Sequence, residues 1–165
     1  MALAAKWGDP LFSANVTNPI EPYAALVRYY RERWACYGHD PADALVGAGT
    51  AGYYGAKTSQ EAMATYRPIF EARLEAMRKR GIPPVFHSLE DAIERSSALI
   101  GSPQQIIDKV YRYHAQLGHE VLHVNADSYG LTEKQHRATL ELFQSEIAPV
   151  LRRAIPSRPF PQAPA

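Results

Sequence analysis

Residues 97–153, SALIGSPQQIIDKVYRYHAQLGHEVLHVNADSYGLTEKQHRATLELFQSEIAPVLRR, constrain the fold more than any other part of the chain. The short apolar run 98–100 leads straight into Ser102-Pro103-Gln104-Gln105. In that pattern the Ser hydroxyl takes a free N–H of the first turn, the Gln reaches back to the cap, and Pro stands where no N–H is needed. Gly118 closes this helix, VLHVNA at 121–126 reads as a strand, and Thr132 caps a last helix that continues past Leu151, with Pro149 near its end. Two strand-then-helix units therefore follow one another. A helix that returns the chain between two strands makes them parallel, and such alternation builds parallel α/β sheets or barrels.

The same alternation runs through the first hundred residues. MALAAKWG reads as the last turns of a helix closed by Gly8, and residues 10–16 as a strand. Thr17 or Asn18 caps a helix pinned by Pro19 and Pro22 and ending near Gly38, with Tyr23, Leu26, Val27, Tyr30 and Trp34 as its apolar stripe. LVGAGTAGYY at 45–54 is a Gly-rich second strand, and Thr58-Ser59-Gln60-Glu61 is a capping box opening a helix to about Arg80, which Pro68 should interrupt or kink. GIPPVFH is a loop, and Ser88 opens a shorter helix toward Ser97. The count is four strands and at least five helices in one α/β domain over residues 1–153, followed by an extended or disordered Pro-rich tail at 154–165.

Composition removes several functions. Eighteen basic and seventeen acidic residues leave a net charge of +1, without the charge runs that suit a phosphate backbone or an anionic membrane. The lone Cys36 has no internal disulfide partner and reads as a buried, inert thiol within a helix. No stretch reaches the ~20 apolar residues of a spanning helix, and the N-terminus lacks a secretory apolar core. The expectation is a soluble, cytoplasmic protein. At 165 residues the chain is also shorter than the ~250 typical of a complete (β/α)8 barrel.

In parallel α/β folds reacting groups gather at the C-terminal ends of strands. The first strand alternates Phe12, Ala14 and Val16 with Ser13, Asn15 and Thr17, and the last alternates Leu122, Val124 and Ala126 with Val121, His123, Asn125 and Asp127. If the apolar faces meet the helices, the polar faces look into a barrel, with Asn15, Thr17, Asn125 and Asp127 near its mouth and Thr50 beside them. Two readings stay open: a pocket lined with donors and acceptors, or an internal polar layer that satisfies itself. Ser102, at a helix start, is either a simple cap or part of a site for a phosphate or anionic substrate. His123 reads as structural or as a proton donor. His114, His119 and His123 lack metal-ligand spacing, GAGTAG at 47–52 is out of register with GxGxxG, and neither GxxxxGK[ST] nor GxSxG occurs. The paired tyrosines, such as Tyr53-Tyr54, read as packing.

Three segments, GDPLFSANVTNP, YRERWACYGHDPADALVGAGTAGYYGAKTSQEA and the closing GSPQQ…LGHE…ELF…EIAPVLR, in this order resemble the C-terminal part of flavin-dependent luciferase-like monooxygenases. The resemblance implies the C-terminal half, about four βα units, of a (β/α)8 barrel. It implies a flavin, usually FMN reduced by a separate reductase and otherwise a deazaflavin, that oxidises a small organic substrate with O2. In that family the phosphate-gripping segment and the catalytic residues lie upstream of the matching part. Cofactor contacts carried over by analogy are limited to strand-end positions, Asn15, Thr17, Thr50, Ser102 and Asn125. A half barrel leaves open strand edges and an uncovered interior face, so the chain should pair as a homodimer or with a separate N-terminal half. The rival reading is a non-catalytic half-barrel module or a truncated fragment that needs a partner chain.

Overall fold

The computed structural model describes residues 1–156. Helix α1 (Ala2–Trp7) ends on Gly8 in the left-handed region, φ 74°, as a helix closed by glycine should. Then follow β1 (Leu11–Ser13), α2 (Ile20–Cys36), β2 (Val46–Gly49), β3 (Tyr53–Gly55), α3 (Ser59–Lys79), α4 (Leu89–Arg95), β4 (Leu99–Gly101), α5 (Pro103–Leu117), β5 (Val121–His123), α6 (Glu133–Leu142) and α7 (Ala148–Ala154), with a π-helical turn at Phe143–Ile147 joining the last two. The alternation read from the sequence is present, and every described strand pair is parallel. Of the expected Pro-rich tail, residues 157–165 lie outside the described residues.

The helix starts at Ser88, Ser102 and Thr132 are those expected. Ser102 with Gln105 and Thr132 with Gln135 form complete capping boxes, and the Ser88 hydroxyl accepts the Asp91 N–H. Thr58 accepts from the Glu61 N–H, which is half of the expected box. Helix α2 departs from expectation. Its cap residue is Pro19, and the Tyr23 hydroxyl, not Thr17 or Asn18, takes free N–H groups at the entry: those of Thr17 at 3.4 Å and Asn18 at 3.2 Å. Its buried stripe is Ile20, Ala24, Val27, Tyr30 and Trp34, and Leu26 at its flank is exposed. Cys36 is exposed at the helix end rather than buried. Pro68 does not interrupt α3: it sits on the solvent side, where water can satisfy the carbonyl its ring leaves unpaired.

The sheet differs more. The Gly-rich strand is broken at Thr50–Gly52 into β2 and β3, which belong to separate sheets: β1-β2-β5, and β3-β4. Residues Leu11, Phe12 and Ser13 pair with Val46, Gly47 and Ala48, and Gly47 to Gly49 pair on the other side with Val121 to His123. Strand β4 does not lie between β2 and β5 as consecutive order would place it. It begins where β1 stops: the Ser97 hydroxyl donates to the Asn15 carbonyl and accepts the Ala51 N–H at 2.8 Å. The flanking strands are shorter than expected for local reasons. Asn15 takes a left-handed backbone, φ 54°, which an extended strand cannot continue through, and beyond His123 the Asn125 N–H goes to the Thr50 side chain, 2.8 Å, in place of a backbone carbonyl.

Three apolar clusters hold these pieces. Val27, Tyr30 and Trp34 of α2 meet Val46 and Ala48 of β2 with Tyr113 and Leu117 of α5. Tyr53 and Leu99 pack with Ile106 and Val110 of α5 and with Ile147 and Leu151. Tyr54 and Ile100, on the opposite face of the second sheet, meet Tyr66, Ile69 and Leu89 of α3 and α4. Where α5 turns into β5, His119 is buried against Tyr113, with ring centroids 4.9 Å apart. Burial, then His114 and Arg31, push its pKa from 6.5 to about 4, so the imidazole is neutral in the fold. The unfolded chain binds this proton below pH 6.5. Stability supplied by neutral His119 is therefore complete above pH 6.5 and is lost as pH falls toward 4. The expected loss is up to about 3 kcal/mol. Urea unfolding of the chain and of His119→Phe at pH 7 and pH 4.5 checks this: the variant's pH slope should be the shallower.

Candidate functional site

The first sheet has one covered face and one open face. Leu11, Ser13, Asn15, Val46, Ala48, Leu122 and Val124 share the parity that meets the helices, and the apolar members of this set join the core clusters. Phe12 and Val16 face the other way and are 57% and 46% exposed. Phe12 and His123 meet edge to face across Gly47, with centroids 6.1 Å apart. Gly47 is needed there, since a Cβ would come within 2.6 Å of the Phe12 ring. The expected facing thus holds for the last strand, with His123 on the open face, and is inverted for the first. Asn15 is turned toward the helices and Phe12, Ala14 and Val16 away from them. Left-handed Asn15 has a buried amide that needs partners, and the helix layer supplies them.

Those partners form a polar network under the strand ends. The Ser13 hydroxyl donates to the Asn15 side-chain oxygen Oδ1, the Asn15 amide donates to the Tyr113 hydroxyl, and Tyr113 donates to the Gly49 carbonyl at 2.8 Å. Burial raises the Tyr113 pKa to about 12, against the Asn15 hydrogen bond, so the phenol stays protonated as a donor. The structure brings Asn15, Thr50 and Asn125 together around the end of β2, with Asn15 and Thr50 fully enclosed and Asn125 half-buried. Thr17 is exposed and bonded to Tyr23, and Ser102 stands at the end of β4 with its hydroxyl and N–H on Gln105. Ser97 and Tyr113, the residues that tie this network to β4 and α5, lie in the bend after α4 and inside α5, where no sequence signal singles them out.

Beyond the end of β1, Val16 borders a cavity of about 370 Å³ between α3, α4 and the second sheet. Val16 and Ala51 floor it, Phe70, Leu74 and Met77 of α3 wall one side, and the strap Ile82–Phe86 closes another. Its polar lining is Thr17, Ser96 and, seven residues apart on α3, Tyr66 and Arg73. Burial first, and the Asp127 carboxylate after it, outweigh Arg73 and raise the Tyr66 pKa. By its sequence alone GIPPVFH reads only as a loop. Two prolines next to aromatic and branched residues are the signal that this loop walls a cavity.

A sequence model of the family described as luciferase-like monooxygenase matches residues 1–120. No curated protein matches the chain. Among solved structures, a monooxygenase from Streptomyces bottropensis aligns over 90% of this chain and 44% of its own, with TM-score 0.69 and 18% identity. The oxygenating constituent of 3,6-diketocamphane monooxygenase from Pseudomonas putida, solved with FMN, aligns over 90% and 44%, with TM-score 0.63 and 22% identity. The coenzyme F420-dependent tetrahydromethanopterin reductase from Methanopyrus kandleri aligns over 90% and 47%, with TM-score 0.61 and 14% identity. The chain therefore spans less than half the length of these structures, and at such identities the likeness is one of fold. Among the described residues no helix is long and apolar enough to cross a membrane.

Proposed function

Because the chain belongs to the luciferase-like monooxygenase family, we propose that it works as the C-terminal part of a flavin-dependent oxidoreductase that oxidises a small organic substrate with O2. In this reading its βα units correspond to strands five to eight of a (β/α)8 barrel. Alignment over 90% of this chain against 44% of a solved monooxygenase supports that share. The observation that carries the proposal is the open face. Phe12 and Val16 are large apolar groups left in solvent at the C-terminal ends of parallel strands, where a completed barrel would place its ligand. Strands from a second copy, or from a separate N-terminal half, would cover it.

The residues present suit the flavin's ring system better than its phosphate. Phe12 and His123 form a wall on which a flat ring can rest, and half-buried Asn125 stands at the strand end next to them. Ser102, by contrast, has its hydroxyl and N–H engaged by Gln105. We assign Asn125 to a polar contact with the cofactor, Phe12 and Val16 to excluding water, and Asn15, Thr17, Thr50 and Ser102, whose polar groups are engaged within the chain, to holding the strand ends that position them. Reduced flavin supplies the electrons for the reaction with oxygen, and the protein orients substrate and ring and keeps solvent away. FMN delivered reduced by a separate reductase is the proposed form, and a deazaflavin is the alternative.

One observation favours the rival, a non-catalytic module: the Asn15 amide donates to Tyr113, Tyr113 donates to the Gly49 carbonyl and Thr50 accepts the Asn125 N–H, so each is satisfied within the chain, as in a purely structural layer. Size-exclusion chromatography with light scattering, FMN added and its absorbance followed across the peak, separates the two. Flavin eluting with a defined dimer supports the enzyme reading; a flavin-free monomer supports the module. In the flavin-binding form, Asn125→Leu should weaken FMN binding by about tenfold, the ~1.4 kcal/mol of one hydrogen bond. Fluorescence quenching of FMN measures it, and unchanged affinity in a folded variant removes Asn125 from the site.

A further inference from the structure

We infer that the cavity under α3 and α4 binds a flat aromatic carboxylate, its rings among Phe70, Pro84 and Phe86 and its carboxylate on Arg73 beside the Tyr66 hydroxyl. The inference does not depend on the flavin, since every group it uses belongs to this chain.

Size comes first. A cavity of about 370 Å³ lies at the small end of the ~300–1,000 Å³ usual for small-molecule sites, which suits a ligand of one or two rings. Shape follows from the lining. Phe70, Phe86 and Tyr66 present aromatic rings, and Pro83 and Pro84 add rigid ring faces, so the walls favour a planar body over a branched or globular one. Polar recognition then falls on few groups. Ser96 is committed within α4 and to Ala98: its hydroxyl donates to the Ala92 carbonyl and accepts the Ala98 N–H at 3.0 Å. Thr17 is held by Tyr23 at 3.1 Å.

Arg73 is different. Among the described residues it makes no hydrogen bond and no ion pair, although it stands at the edge of a largely apolar cavity. A guanidinium matches a carboxylate with two parallel hydrogen bonds, and its long stem can fold over an apolar body while the head stays near water. Tyr66 lies two helical turns earlier on the same face, and its hydroxyl makes no hydrogen bond among the described residues. Burial and the nearby Asp127 keep this phenol protonated, so it can donate to the same carboxylate.

The test is a titration of the full chain, without flavin, with naphthoate and with its neutral amide, naphthamide, by calorimetry. The chain should bind naphthoate at least tenfold more tightly than naphthamide. Arg73→Gln, a change on an exposed helix position, should abolish that preference and leave naphthamide affinity unchanged, with circular dichroism showing the same fold. Phe70→Ala should weaken both ligands. Absence of binding by either probe, equal affinity for the two in the native chain, or a preference that survives Arg73→Gln overturns the assignment. Because flavin is absent throughout, none of these outcomes bears on the flavin proposal.

Discussion

Replacing Tyr113 with Ala should cost about 3–5 kcal/mol, the range for truncating a fully buried aromatic side chain. Its ring is enclosed between α2, β2 and α5, and its hydroxyl joins the Asn15 amide to the Gly49 carbonyl. Tyr113→Phe keeps the ring and removes only the hydroxyl, which leaves the Asn15 amide and the Gly49 carbonyl buried with one partner fewer. That should cost about 1–3 kcal/mol. Urea unfolding of both variants checks the order, and a Phe variant as stable as the parent would show that the network does not hold the strand ends. If Asn15 and Thr50 position the cofactor-bearing loops, the Phe variant should also bind FMN more weakly while remaining folded.

Gly49→Val is expected to yield little folded protein. A Cβ at this position would sit inside contact distance of the Ala14 carbonyl oxygen and 3.1 Å from its carbonyl carbon. These are backbone atoms of the neighbouring strand and cannot swing aside as a side chain would. Overpacking ordinarily costs ~1–3 kcal/mol, and a clash that forces β1 off β2 should exceed it. The measurement is the soluble yield and the thermal midpoint, with Gly49→Ala as the milder step. A Val variant with the parent's midpoint would mean that β1 is not paired as described.

The parts legible in the sequence are those decided within a few residues of chain. The caps at Ser88, Ser102 and Thr132, the stop at Gly118 and the start of the strand read over 121–126, of which 121–123 forms, follow from groups that meet their partners inside one helical turn or along one strand. The family resemblance followed from the order of such segments, and the match over residues 1–120 bears it out. Facing was harder to read. Ser13 and Asn15 look like a polar rim of a barrel interior and are turned toward the helices instead, because a helix residue 98 positions from Asn15 offers the hydroxyl its amide needs. Cys36, nine residues beyond Val27, lies on the side of α2 opposite its buried stripe, and Leu26, one residue before Val27, lies at the stripe's flank, so both are exposed.

By itself, then, the sequence determined the alternation of strands and helices, the parallel sense of the strands and most of the helix starts, since these depend on local hydrogen bonds and on periodicity. Only the tertiary structure decided that the Gly-rich segment divides between two sheets, that β4 continues the edge where β1 stops, and that Tyr66 and Arg73 border a cavity. Each of these depends on which surfaces remain unpaired once the nearby ones have met. That is a competition among contacts between residues far apart in the chain, and no local pattern records its outcome.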